Sequence, residues 1–219
     1  MAGYENGSTT RKQILDACVV LFYEKGYFAT GYDDICAKAH VSRNTVHYHF
    51  KTKHAILDDV LWYFILNNRN LAAKYCPAEN CHFLIATYCL WYQAKADPHM
   101  RRFLCECFQN EQVYIGRPDI PDIHVMMYTY LWGDFKKLIQ IPEYSFVSGH
   151  SYLSTFMRMF CAEPGKYDLW EMFMHCVTSC LYIWGIPQIQ MDHMLTDIKQ
   201  YIALIPETDF SVRLPSFSE

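Results

Sequence analysis

The chain has 219 residues, 52% of them hydrophobic and 16% aromatic, enough apolar material for one large domain or a small domain joined to a larger one. A formal net charge of −4 argues by itself against a nucleic-acid partner, but the charge is uneven. Residues 1–55 hold seven Lys and Arg against five Asp and Glu, with four histidines besides, whereas residues 56–219 hold twelve against eighteen.

Apolar residues recur at three- and four-residue intervals from end to end, so the expected fold class is all-α. Thr10 to Gln13 reads as a capping box opening a first helix, with Ile14, Leu15, Cys18, Leu21 and Phe22 on one face and Gly26 as its left-handed stop. Thr30 is expected to cap a second helix, whose first turn carries Asp33 and Asp34 and whose Ile35 and Ala39 face inward. The chain then turns at His40-Val41, and Ser42 caps a short third helix that points Val46 and Phe50 at the core.

Three helices this short bury little surface alone. A long fourth helix, capped by Thr52 and running to about Lys74, supplies Ile56, Leu57, Val60, Leu61, Phe64 and Ile65. Beyond it, Pro77 opens a helix to about Lys95, and Asp97-Pro98 caps the next, to about Gln109. A loop at 116–121 precedes a helix over about 122–140, and another helix spans about 149–161. The last pair run from Asp168 to Gly185 and from about Ile189 to Leu204, and residues 206–219 read as a tail. About nine or ten helices are expected in all.

The stretch from Gly26-Tyr27-Phe28-Ala29-Thr30 through Asp34-Ile35-Cys36 and Val41-Ser42-Arg43 to Tyr48-His49-Phe50-Lys51-Thr52-Lys53 resembles the TetR family of bacterial transcriptional regulators. The match covers about the first quarter of the chain. It implies a helix-turn-helix DNA-binding domain over residues 1–55 and a helical effector-binding and dimerisation domain over 56–219. It also implies a homodimer that sets two recognition helices in successive major grooves of a palindromic operator. By position, Ser42, Arg43, Asn44 and Thr45 would meet base edges and nearby phosphates. His47, Tyr48 and His49 would grip backbone or bases, and Gly31, Tyr32 and Lys53 would meet phosphate. The chain departs from the family at His40 and Asn44, where glycine is common, and at His47, where tyrosine is frequent.

The aromatic and sulfur-rich helices after residue 60 suit a pocket for an apolar or flat small-molecule effector. Its candidates are Tyr88, Trp91, Tyr92, Met126, Tyr130, Met157, Phe160, Trp170 and Met174, although each could equally be plain core. The last two helices are the candidate dimer surface, through Phe173, Val177, Cys180, Leu181 and Trp184 on one and Met191, Leu195, Ile198 and Ile202 on the other. They could also be internal core.

The ten cysteines lack metal-site spacing and read as buried hydrophobes, with redox sensing a lesser alternative. No carboxylate partner is evident for His40, His47, His49 or His54, so a pH switch is not expected. No metal, cofactor or catalytic constellation is expected. The longest apolar run, Met172 to Ile186, is too short for a membrane span, and the polar N-terminus lacks a secretory signal, so a cytoplasmic protein with no membrane partner is expected. The expected function is a ligand-responsive dimeric transcriptional regulator, a repressor that binds a palindromic operator and is released by its effector. A regulator without effector, an activator and a helical enzyme are the alternatives.

Overall fold

The computed structural model describes residues 2–109, 152 and 155–217. Among them all regular structure is helical: α1 (Ala2–Glu24), α2 (Tyr32–Ala39), α3 (Arg43–His49), α4 (Lys53–Tyr75), α5 (His82–Ala96), α6 (Pro98–Gln109), α7 (Leu169–Ile183) and α8 (Gln188–Ile202), with a helical stretch at 155–162 and short 3-10 turns at Glu79–Cys81 and Glu207–Phe210.

The first three helices cannot enclose a core alone, and α4 completes it. Ile14, Leu15, Cys18 and Phe22 of α1 share one buried cluster with Ile35 of α2, Val46 of α3 and Ile56, Leu57 and Val60 of α4. Helix α4 continues into the body, where Phe64 meets Phe103 of α6 at 5.1 Å between ring centres. Helix α5 is apolar nearly all round, as befits a central helix, and Trp91 stacks on Phe160 at 6.3 Å. Helix α6 reaches back to the end of α1. Arg102 Nη2 donates to Tyr23 O at 2.7 Å and Glu24 O at 2.6 Å, satisfying carbonyls that the end of a helix leaves open. Tyr23 donates its hydroxyl to Asp97 Oδ2 at 2.7 Å, and the Tyr27 amide donates to Glu106.

Most caps stand where the sequence puts them. Thr52 accepts from Ala55 N at 3.1 Å, Asp97 from Met100 N at 2.8 Å and Asp168 from Glu171 N at 2.9 Å. Other expectations need correction. Helix α1 begins at Ala2, so Thr10 lies inside it. Thr30 is buried and donates to Gly26 O at 2.6 Å, and Gly31 is the residue at the start of α2. A 3-10 turn follows Pro77, and α5 starts only at His82. The tail is packed: Phe210 and Phe217 are buried, Phe217 N donates to Asp16 Oδ1 at 2.7 Å, and Tyr75 donates to Asp209 Oδ2 at 2.7 Å. Two buried phenylalanines in twelve residues are the anchors that hold it.

The candidate dimer face is packed in this chain. Phe173, Val177, Cys180, Leu181, Trp184, Met191, Ile198 and Ile202 are buried within this single chain, and Leu195 is partly buried against the same core. An apolar stripe marks the buried side of a helix without saying which chain covers it. The side chains of α7 and α8 that do face outward include Tyr182 and Ile189, 77% and 73% exposed.

Phe103 is fully buried against Phe64. Phe103→Ala is therefore expected to lower the unfolding free energy by about 3–5 kcal/mol, read from the urea midpoint. A loss under about 1 kcal/mol would contradict the close packing between α4 and α6.

Candidate nucleic-acid interface

Helix α2 starts at Gly31, whose amide donates to Asp34 Oδ2 at 2.7 Å. The same oxygen accepts from Lys25 Nζ at 2.6 Å. These hydrogen bonds, the one from Lys25 foremost, hold the Asp34 carboxyl below its ordinary value. At the other end His40 adopts the left-handed conformation, φ 54°, where the turn demands it, and Val41 N closes back on Cys36 O at 3.1 Å. Histidine tolerates this region better than most side chains, which is how the chain manages without glycine there.

Ser42 Oγ accepts from Thr45 N at 3.1 Å and opens α3. Val46 and Phe50 are buried, and the Arg11 guanidinium lies 4.8 Å over the Phe50 ring while pairing with Asp59. Two apolar anchors on so short a helix fix which way its other residues face. Ser42, Arg43, Asn44 and Tyr48 are exposed, and Thr45, His47 and His49 are half-buried. Tyr48 is 79% exposed, an aromatic ring with no core to enter. Tyr32 leans from α2 onto the outer face of α3, 4.6 Å from His47 and 5.1 Å from the Arg43 guanidinium. Burial, with Arg11 nearby, lowers the pKa of His49 and favours the neutral ring.

The residues expected at DNA are thus gathered on one face, with Gly31 exposed beside Tyr32 at its edge. Lys53 is placed differently. Its ammonium donates to Tyr27 O at 2.9 Å and Thr30 O at 2.8 Å and sits 4.3 Å over the Tyr27 ring, where burial lowers its pKa. In this structure it ties α4 to the turn before α2. Asp34 also positions this surface through its neighbours Gly31 and Lys25, and Arg11, Arg102 and Glu106 do so through partners far along the chain. The expectation that His54 lacks a carboxylate partner needs correction: it lies 3.6 Å from Asp58, one helical turn further along α4.

The face combines guanidinium, amide, imidazole and hydroxyl groups on one short helix. Such donors match the acceptors on base edges in the major groove and on phosphates.

The expected effector residues are split. Trp91, Met157 and Phe160 are buried in tight packing, whereas Tyr88, Tyr92, Trp170 and Met174 are partly buried. Tyr88 sits 5.6 Å from Trp170. Met126 and Tyr130 lie outside the described residues, as does the helix expected over 122–140. A separate polar cavity of roughly 220 Å³ is lined by Asn68, Lys74, Gln93, Asp209 and Arg213 among others, and by none of the expected set. Among the described residues no three metal-ligating side chains converge, and no helix is long and apolar enough to cross a membrane.

Residues 14–60 match the family model for bacterial regulatory proteins of the tetR family. The chain is 38% identical over 53 residues to the transposon Tn10 TetC protein of Escherichia coli, a stretch covering 24% of this chain and 27% of that protein. The chain therefore matches only about a quarter of that relative's length. Among solved structures it is similar to a putative tetR family transcription regulator from Shewanella sp. PV-4, at 17% identity and a TM-score of 0.43 over 80% of this chain and 96% of that one. A gamma-butyrolactone receptor (ArpA-like protein) aligns at 17% identity and a TM-score of 0.41, over 90% of this chain and 99% of that one.

Because the folded-state pKa of Asp34 is lowered, its contribution to stability is complete above the ordinary carboxylate value of 3.8 and is lost as pH falls through the lowered value. The stability difference between wild type and Asp34→Asn is expected to be largest near neutrality and to shrink in acid, measured by urea unfolding at a series of pH values. A difference that stays constant down to acid pH would contradict the Lys25–Asp34–Gly31 arrangement.

Proposed function

We propose that this chain is a transcription regulator of the tetR family, a homodimeric repressor that binds a palindromic operator and is released by a small apolar or aromatic effector. The observation that carries the DNA contact is the pinning of α3 by Val46 and Phe50, which turns Ser42, Arg43, Asn44 and Tyr48 outward. Arg43 and Asn44 are assigned to base edges and Thr45, His47, Tyr48 and His49 to bases and nearby backbone. Gly31, Tyr32 and Ser42 are assigned to phosphate. Lys53 sets the angle between α4 and the turn before α2, and any phosphate contact it makes comes on top of that role.

Residues 1–55 read DNA, and residues 56–219 carry the effector pocket and the subunit contact, in the cytoplasm. The half-buried Tyr88, Tyr92, Trp170 and Met174 are the effector contacts, with Trp91, Met157 and Phe160 as the wall behind them. The subunit contact falls on the outward faces of α7 and α8, where Tyr182 and Ile189 are exposed. Release requires that the effector bind the non-operator arrangement more tightly than the operator-bound one. The two recognition helices then no longer match the groove repeat of about 34–36 Å.

Selection of duplexes from a random pool is expected to return an inverted repeat. On that site Arg43→Ala is expected to weaken binding by about 1–3 kcal/mol and to relax preference at one base position per half-site. Equal losses on the selected and on random duplexes would remove Arg43 from base reading, and a pool that yields no enriched sequence would overturn the operator.

A further inference from the structure

The joint between α6 and the head holds a cluster that DNA recognition leaves unused. Phe28, Arg101, Arg102, Cys105, Glu106 and Cys161 line a cavity of roughly 310 Å³. Of the ten free cysteines eight are buried, and Cys105 is one of the two that are half-exposed. It lies on α6 between Arg102 and Glu106, the residues that hold the end of α1 and the Tyr27 amide. Its sulfur accepts a hydrogen bond from Gln109 Nε2 at 3.4 Å, and Cys161 lines the same cavity. Cys161 is buried on the 155–162 stretch, its sulfur 3.7 Å from Arg101 O and 3.6 Å from Met157 Sδ.

The pair is asymmetric. Accepting hydrogen bonds favours a thiolate, and Cys105 is brought down to about 7, chiefly by the Cys161 thiol. Cys161 is driven up by the neighbouring Cys105 and by burial. The accessible sulfur is thus the nucleophile, and the buried one keeps its proton. Cys176 and Cys180 stand one turn apart on α7, but both are fully buried.

We propose that Cys105 and Cys161 form a reversible oxidation site, in which a hydroperoxide entering this cavity oxidises Cys105 and Cys161 then closes a disulfide with it. In the first step the Cys105 thiolate attacks the peroxide. An S–O bond forms as the O–O bond breaks, and the departing oxygen takes up a proton and leaves as water or an alcohol. In the second, the Cys161 sulfur attacks the sulfenic sulfur. An S–S bond forms as the S–O bond breaks, and the Cys161 proton leaves with the hydroxyl as water. Two thiols lose two electrons and two protons, the hydroperoxide is reduced, and a small thiol restores the pair by exchange. The link would join α6 to the 155–162 stretch, and α6 holds the turn that sets the head. Its effect on DNA binding rests on the function proposed above, whereas the thiol chemistry does not.

The experiment treats the full reduced chain with equimolar hydrogen peroxide and maps its cysteines by mass spectrometry. The expected result is one Cys105–Cys161 disulfide, two hydrogens lighter and reversed by dithiothreitol. In Cys161→Ser the reaction is expected to stop at a Cys105 sulfenic acid trapped by dimedone, and in Cys105→Ser peroxide consumption falls at least tenfold. Cys105 reacting no faster than the other half-exposed thiol, Cys36, or a disulfide formed elsewhere, would overturn the site. The wild-type map needs no substitution, so it decides the matter even if a variant misfolds. Selected duplex is then titrated against both forms: oxidation is expected to change affinity at least tenfold in wild type and less than twofold in Cys161→Ser. A disulfide without that change overturns the coupling to the head, whereas reduced protein that ignores every duplex overturns the reading of the head itself.

Discussion

The turn between α1 and α2 is held from two helices of the body at once. The Lys53 ammonium of α4 sits on the carbonyls of Tyr27 and Thr30, and α6 supplies Arg102 to the carbonyls of Tyr23 and Glu24 and Glu106 to the Tyr27 amide. The Tyr23 and Glu24 carbonyls are groups that the end of a helix leaves open, the others belong to the turn, and charged side chains bind them all. The turn at Gly26 must pass close to do this: its φ is +100°, and an added Cβ would stand 2.9 Å from Glu106 Oε1. Glycine allows both the conformation and the approach.

That clamp makes the head an extension of the body. The core under α3 is built partly from α4, and the angle at which α3 is presented depends on where α4 and α6 stand. On the function proposed above, a ligand or a covalent link that shifts α6 would act on α3 without touching it. Coupling of this kind needs no long pathway, because the residues that hold the turn and those that line the joint cavity are the same ones: Arg102 and Glu106 belong to both.

What could be read from the sequence was local. Ser42, Thr52, Asp97 and Asp168 cap helices through a side chain that meets an amide three residues on, and His40 turns where the helix must stop. The outward face of α3 followed from Val46 and Phe50 alone. What could not be read depends on partners far along the chain. Lys53 finds carbonyls 23 and 26 residues away, and Phe217 returns 201 residues to Asp16. The apolar stripes of α7 and α8 announced burial correctly, and Phe173 and Ile198 are buried within their own chain, which the stripes alone could not tell from a subunit contact. Cys105 resembled its nine fellow cysteines in sequence, and only its place beside Cys161 sets it apart.

The outward surface of α3, framed by Tyr32 and steadied by Lys53, is the center of the functional reading. Hydrogen exchange of the backbone amides, followed with and without a bound selected duplex, tests it most directly. Slowed exchange concentrated at residues 31–32 and 42–49 is the expected result. Protection that falls instead on α7, α8 or the tail, with residues 42–49 exchanging as freely as before, would contradict it.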